Sequence, residues 1–220
     1  MQRTAALSQL VDAMLQLARP HPLRVAIDGI DAAGKTTLAD ELAQQIAARG
    51  RPVIRASIDG FHRPRAERYR QGADSPTGYY EDAFDYAALR DRLLLPLGPG
   101  GTRRFRRAVF DFRTDTPITA QEETAPDNAM LLMDGVFLLR PELVALWDYR
   151  IFVDARFGVA LQRALQRDLA LFGSAEAVQT RYQRRYMPAQ QLYLRSAHPQ
   201  QHADAVLQND DPAFPLLKLR

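Results

Sequence analysis

The sequence predicts an α/β fold built on a doubly wound, mostly parallel sheet with helices on both faces. Three observations predict it. The strand-like run "LRVAID" passes through a glycine-containing loop into the amphipathic run "KTTLADELAQQIAARG", and a second strand-like run, "PVIRAS", follows. Two later runs, "NAMLLMDG" and "DYRIFVD", are nearly all apolar, as strands covered on both faces should be. Strand and helix alternate through these segments, which is the pattern of parallel strands joined by crossover helices.

Taken in order, leucines and alanines recur at helical spacing from about Thr4 to Ala18 and stop at Arg19-Pro20, which predicts a packing helix. Leu23–Asp28 is the first strand. The helix opening at Lys35 is closed by Gly50, and Pro52–Ser57 is the second strand. From Asp59 to Gly78 charges crowd and periodicity disappears, so an irregular loop is expected, followed by a helix from about Phe84 to Leu95. "PLGPGG" marks a turn, and "RRAVFDFR" reads as a strand, half of a hairpin over the edge of the sheet. Asn128–Gly135 and Asp148–Asp154 are further strands. The last third is mostly helical through "ARFGVALQRALQRDLALFG" and "SAEAVQTRYQRRYMPAQQLYLRSA", and it ends in a strand at Ala203–Gln208. Glycines and prolines are scattered and not gathered into a linker, so one domain is expected across residues 1–220.

Composition excludes several classes of protein. Hydrophobic residues at 46% and charged residues at 25% argue against a disordered or fibrous chain. Zero cysteines exclude a disulfide framework and thiolate metal sites; that suits the cytoplasm, though avoidance of Cys by a GC-rich genome accounts for it equally. The best candidate for a membrane span, "AMLLMDGVFLL", is broken by Asp134, and the N-terminus has no basic-then-apolar signal, so a soluble cytoplasmic protein is expected. The formal charge of +3 is slight, but Arg clusters in "RPRAERYR" and "RRFRR". Such clusters suit nucleic acid, a solvated face or a site that collects phosphates. Acidic residues spread through the same segments weigh against nucleic acid.

Only Lys35 and Lys218 of the 29 Lys+Arg residues are lysine. A lone Lys between Gly34 and Thr36 suggests chemistry that Arg cannot do. Gly29-Ile30-Asp31-Ala32-Ala33-Gly34-Lys35-Thr36 satisfies G-x-x-x-x-G-K-[ST] between a predicted strand and helix, which makes the fold a P-loop NTPase. In that geometry successive backbone N–H groups and the positive helix end wrap the phosphates of a nucleotide. Contacts to ATP are expected from Gly29, Asp31, Ala32, Ala33, Gly34, Lys35, Thr36 and Thr37. Lys35 reaches the β- and γ-phosphates as a compact point charge, and the Thr36 hydroxyl is a ligand for Mg²⁺. Asp59 falls at the carboxyl end of the second strand, where ligands of open α/β sheets bind. A carboxylate there can take the proton from an attacking hydroxyl; on position alone, a helix-capping or loop role is equally open.

"GIDAAGKTT", "SIDGFHRP", "YYEDAFDY", "VFDFRTD", "LLMDGVFLL", "ALQRALQRD" and "HADAVLQNDDP" stand in the order and approximate spacing of the uridine kinase/phosphoribulokinase family, which the chain resembles from about Leu23 to Pro212. The resemblance implies an ATP- and Mg²⁺-dependent kinase for a small-molecule acceptor, nucleoside-like in the first instance and otherwise pantothenate, a sugar phosphate or glycerate. It implies an acceptor loop over about 59–80 and a helical lid over about 163–190. It makes Asp59 the catalytic carboxylate and Asp82 a holder of acceptor ribose hydroxyls, with an N-cap role for Asp82 as the alternative. Asp134 is expected at Mg²⁺, directly or through water, where relatives usually carry Glu. Arg163 and Arg167, four residues apart, match lid arginines that close over the phosphoryl, with ion pairing to Asp168 as the alternative. Phe61, His62, Tyr79, Phe110 and Arg113 are acceptor-pocket candidates. The chain departs from the family at Asp115, where uridine kinases generally carry a histidine that reads the pyrimidine, and "LALFGSAEAVQ" offers no counterpart of their lid contacts to the base. Uridine is therefore expected to be a mediocre substrate, and Asp115, if it faces the pocket, favours an acceptor offering donors or positive charge. A nucleotide-binding regulator or nucleic-acid-associated ATPase is the competing class.

Overall fold

The computed structural model describes residues 1–119 and 121–220. Helix α1 (Arg3–Leu15) sets Leu7, Leu10, Val11 and Met14 along one buried stripe. That stripe shares a core with Leu38, Leu42 and Ile46 of α2 (Lys35–Ala48). The spacing of these residues is that of one helix face, and each side chain removed from water contributes about 1.5–3 kcal/mol.

Six strands form the central sheet: β1 (Leu23–Gly29), β2 (Val53–Ser57), β7 (Met130–Gly135), β8 (Tyr149–Asp154), β9 (Ala205–Gln208) and β10 (Leu216–Leu219). Their order is β10-β9-β8-β1-β7-β2, parallel throughout except for antiparallel β10 at one edge. β1 and β7 are buried at every position. Alternate residues feed two different cores. Val25, Ile27, Met130 and Leu132 join α1 and α2 on one face, whereas Ala26, Leu131 and Met133 pack on the other with Phe61, Phe84, Phe137 and Tyr193. Burial on both faces accounts for the unbroken apolar runs in the sequence.

Beyond β2 the chain differs from the irregular loop that was expected. A 3₁₀ turn (Ile58–Phe61), α3 (Arg65–Arg68) and α4 (Pro76–Asp82) occupy it. Ser75 accepts from Gly78 N at 3.0 Å and Pro76 takes the first helical position, a cap-and-proline signal that the surrounding charges mask. The helix expected from Phe84 instead opens at Tyr86, because Asp85 caps it by accepting from Ala88 N at 2.8 Å. This helix, α5 (Tyr86–Leu89), widens into a π turn over Arg90–Leu94.

"RRAVFDFR" divides between two short pairings and not one strand: β3 (Arg104–Phe105) with β6 (Glu123–Thr124), and β4 (Phe110–Asp111) with β5 (Thr116–Pro117). Arg104 and Arg107 are matched there by Glu122 and Glu123. Opposed charges on the adjacent strand remove most of the positive field that a nucleic-acid backbone would need.

The carboxyl-terminal third runs through α6 (Phe157–Arg167), α7 (Leu169–Phe172), α8 (Ala175–Arg181), a π turn (Tyr182–Tyr186), α9 (Met187–Ala197) and α10 (Pro199–His202). Among the described residues no helix is long and apolar enough to cross a membrane.

Candidate active site

The site grows from the carboxyl end of β1. Gly29 leaves the strand at φ 153°, and a Cβ there would lie 2.3 Å from the Val153 carbonyl oxygen of neighbouring β8. Gly29→Ala is therefore expected to cost at least about 1–3 kcal/mol, the scale of one strained backbone position, and to lower Tm in a thermal melt. An unchanged Tm would show that β8 yields freely. Ala32 at φ 59° and Gly34 at φ 97° complete the loop and deliver the chain into α2. The first N–H groups of α2 have no partners of their own within the helix and point toward the loop.

Two side chains from elsewhere hold this loop in shape. Asn209, buried just after β9, donates through Nδ2 to Ala33 O at 2.7 Å. Arg163 donates to Ala33 O at 3.4 Å and to the carbonyls of Asn209 and Asp210 at 2.7 and 3.0 Å. Arg163 thus clasps the loop to the β9–β10 connection. These backbone oxygens engage the guanidinium that the sequence reading expects to close over the phosphoryl. Arg167, on the same helix, bonds Asp168 at 2.7 and 3.0 Å and the Tyr182 hydroxyl at 3.1 Å. The ion pair foreseen as its alternative therefore forms, yet its charge still acts on Asp31, Lys35 and Asp59.

Lys35 is buried, and Nζ donates to Ile30 O at 2.7 Å. Burial draws its pKa below the usual lysine value, while Asp31, Asp28 and Asp134 oppose that shift. Register explains how Asp134 arrives beside it: Asp134 on β7 pairs with Ile27 on one side and Ser57 on the other. Its Oδ2 accepts from Thr36 Oγ1 at 2.7 Å and its Oδ1 from Arg55 Nη2 at 2.9 Å. A hydroxyl and a carboxylate side by side are hard oxygen donors of the kind that hold Mg²⁺ together with substrate phosphates, so this donor set fits the ion.

Asp59 follows β2 in the 3₁₀ turn, with its side chain 60% exposed. Desolvation by the cleft walls and the Asp134 charge raise its pKa above the ordinary carboxyl value, against Lys35, Arg167 and Arg113. The three carboxylates Asp31, Asp59 and Asp134 and the cations Lys35 and Arg167 therefore act on one another at one end of the sheet.

The remaining pocket candidates divide. Phe61 is fully buried in the core shared with Phe84 and Phe137, which leaves it no surface for a ligand, and Phe110 keeps only 6% of its surface exposed. His62 lies between Phe84 and Phe112, with ring centroids at 4.5 and 4.8 Å, and burial pushes its pKa down to about 4, so it is neutral near pH 7. Tyr79 donates to Asp31 Oδ2 at 3.1 Å. Asp82 ends α4 and is no N-cap; its two oxygens accept from Arg70 and Gln71, each at 2.8 Å. Asp115, at φ 56° in the β4–β5 turn, accepts through Oδ1 from Arg65 N at 2.8 Å and Arg68 Nη2 at 3.2 Å. Its charge is met by Arg68, so the preference for a cationic acceptor inferred from it loses its basis. Arg113 is exposed beside Asp59.

Several participants were not singled out from sequence: Arg55 on Asp134, Asn209 on the loop, Gln190 on Asp31, and Arg185, which donates to the carbonyls of Arg68, Gly72, Ala73 and Ser75. Asp28 is another. It is wholly buried at the end of β1 and accepts from Gly29 N at 2.8 Å, Leu139 N at 3.3 Å and the Tyr193 hydroxyl. Burial outweighs these donors and pushes its pKa up to about 6 from 3.8. An acid whose pKa is raised on folding stabilises most when protonated, and that contribution fades as pH climbs from 3.8 to about 6. The stability of the native protein relative to Asp28→Asn is thus expected to fall by up to about 3 kcal/mol across that window, measured by denaturant melts at each pH. A difference independent of pH would contradict the raised value.

A glycine-containing loop at the end of the central parallel strand β1, a lysine at the start of its helix, and acids at the end of β7 and just past β2 together define a P-loop small-molecule kinase, a phosphotransferase. The family model described as the phosphoribulokinase/uridine kinase family matches residues 25–211, and the chain belongs to that family. It is 28% identical over 191 residues to uridine-cytidine kinase B of Dictyostelium discoideum, covering 85% of this chain and 74% of that protein. Against a uridine kinase of Alkaliphilus metalliredigens it is 26% identical over 152 residues, covering 68% and 69% of the two chains. Among solved structures, one described as a possible uridine kinase from Bacillus stearothermophilus superposes with a TM-score of 0.72 at 25% identity, over 92% of this chain and 97% of that one.

Proposed function

We propose that the protein transfers the γ-phosphoryl of ATP to a hydroxyl of a small, nucleoside-like metabolite. The observation that carries this reading is the geometry at the loop that starts α2, where Lys35 Nζ bonds Ile30 O at 2.7 Å and Thr36 Oγ1 bonds Asp134 Oδ2 at 2.7 Å, with Asp59 just past β2. ATP would lay its phosphates along the N–H groups of Gly29 to Thr37, with Lys35 balancing the charge that develops on the β- and γ-oxygens. Thr36 and Asp134 would hold Mg²⁺, which supplies charge neutralisation between those phosphates when bound. Asp59, exposed toward the cleft, takes the proton from the acceptor hydroxyl as that oxygen attacks phosphorus and the bond to ADP breaks. Arg167, held by Asp168 and Tyr182, brings a further positive charge to the transferred group.

An ADP-release assay over uridine, cytidine, nicotinamide riboside, pantothenate, D-glycerate and a sugar phosphate tests the reading. Acceptor-dependent release is expected, with uridine mediocre, because the histidine that reads pyrimidine in relatives is replaced by an Asp115 already engaged with Arg68. Release stimulated only by RNA or DNA, falling steeply with salt, would replace the kinase with the nucleic-acid-associated ATPase.

A further inference from the structure

Asp31 sits in the nucleotide loop, but its side chain does not serve that loop. Its Oδ2 accepts from the Tyr79 hydroxyl at 3.1 Å and from Gln190 Nε2 at 2.5 Å, one donor on α4 and the other on α9. Both donors are immobilised. Tyr79 is packed against Tyr186 and Phe137, with centroids at 4.7 and 5.4 Å, and Gln190 is 2% exposed. Two fixed donors on one oxygen set the plane of the carboxylate and leave the other oxygen aimed by default.

Oδ1 accepts no hydrogen bond among the described residues and is not sealed from solvent. The other carboxylates around the cleft differ. Asp134 spends one oxygen on Thr36 and the other on Arg55, and Asp82 spends its two on Arg70 and Gln71. Asp115 is drawn to α3, and Asp59 is occupied by the reaction itself in the mechanism above. Tyr79, which fixes Asp31, lies on α4 between the Asp59 turn and Asp82, so Asp31 is tied to the segment that carries the reacting carboxylate and not only to the nucleotide loop.

We infer that Asp31 is an acceptor-binding residue whose free Oδ1 receives a hydrogen bond from a second hydroxyl of a polyhydroxylated acceptor, with Tyr79 and Gln190 as the residues that position it. The inference rests on the kinase reading given above. It adds that the substrate carries at least two hydroxyls, one attacking phosphorus beside Asp59 and one held at Asp31. A carboxylate with one oxygen already saturated is selective for a single additional donor, and an acceptor lacking that donor leaves the oxygen unpaired.

Steady-state kinetics with two matched pairs test it: uridine against 2′,3′-dideoxyuridine, and D-glycerate against 3-hydroxypropionate. The native protein is expected to favour the fuller hydroxyl set by roughly tenfold or more in kcat/KM, as for a hydrogen bond to a charged group. In Asp31→Ala that preference should shrink to within about threefold, with the acceptor KM raised far more than the KM for ATP; Asp31→Asn should restore part of the preference. Tyr79→Phe keeps the ring and removes only the orienting hydroxyl, so it should weaken the preference in the same direction even if Asp31→Ala fails to fold. A preference unchanged by these substitutions, or a KM for ATP that rises as much as that of the acceptor, overturns the inference while leaving the kinase intact. If none of these compounds is a substrate, the same comparison is made on the best acceptor of the ADP-release assay and its analogue lacking one hydroxyl; only when no acceptor in that assay raises ADP release do the proposed function and the inference fall together.

Discussion

Lys35→Ala is expected to abolish acceptor phosphorylation, with a loss of roughly 10³ or more in kcat, while the protein stays folded. The ammonium lies within a buried site, donates to Ile30 O at 2.7 Å and is surrounded by Asp31, Asp28 and Asp134. Its burial is unfavourable to the charge, as the lowered pKa records, so the fold gains little from it. What it contributes is a positive charge already in place where negative charge builds on the leaving phosphates, and no solvent reorganisation is needed to provide it. Lys35→Arg should fail as well: the planar guanidinium is wider than the ammonium and would meet the Ile30 carbonyl and the strained Ala32–Gly34 turn. ADP release with the best acceptor, read beside Tm and nucleotide binding, gives the answer. Near-normal turnover by a folded Lys35→Ala protein would falsify the placement of ATP on this loop.

Asp59→Asn should reduce kcat by roughly 10² or more with a smaller effect on ATP affinity, the scale expected when general-base assistance is lost. The amide keeps the shape of the side chain and the bond from Asp59 N to Ser57 Oγ at 3.4 Å, so the 3₁₀ turn should persist. The pH profile adds a second, independent reading. A base must be ionised to act, and the cleft walls and Asp134 hold this carboxyl above its ordinary value of 3.8. Native activity should therefore fall as pH is lowered through that raised value, and the acid limb due to Asp59 should be missing from Asp59→Asn. If ATP affinity collapses while kcat holds, Asp59 serves the nucleotide or the ion, and another carboxylate must be the base.

Much of this molecule is local and was readable as such. The nucleotide loop is specified by eight consecutive residues, because a backbone turn at positive φ, a helix start and a lysine need no distant partner to be recognised. β1, β7 and β8 announced themselves because strands buried on both faces are mostly apolar, and β2, buried only at alternate positions, was placed by the helix stop and glycine before it. Asp59 and Asp134 could be placed at strand ends for the same reason: each follows the last residue, or nearly so, of such a run. The short edge strand β10 was not legible, since its side chains are largely exposed and carry no alternation.

Tertiary structure alone decided which polar groups meet. Arg163 and Arg167 have the spacing of one helix face, yet the first reaches the backbone of a loop more than forty residues on and the second stays in the cleft field. Asp82 and Asp115 look free in sequence and are engaged in the fold, whereas Asp31, a member of the phosphate loop, keeps one oxygen without a hydrogen-bond partner among the described residues. Motif and periodicity report what a residue does with its own neighbours in the chain. Hydrogen-bond saturation is settled by donors 11 to 159 positions away, brought together when the crossover helices close over the sheet, and no local pattern encodes that count.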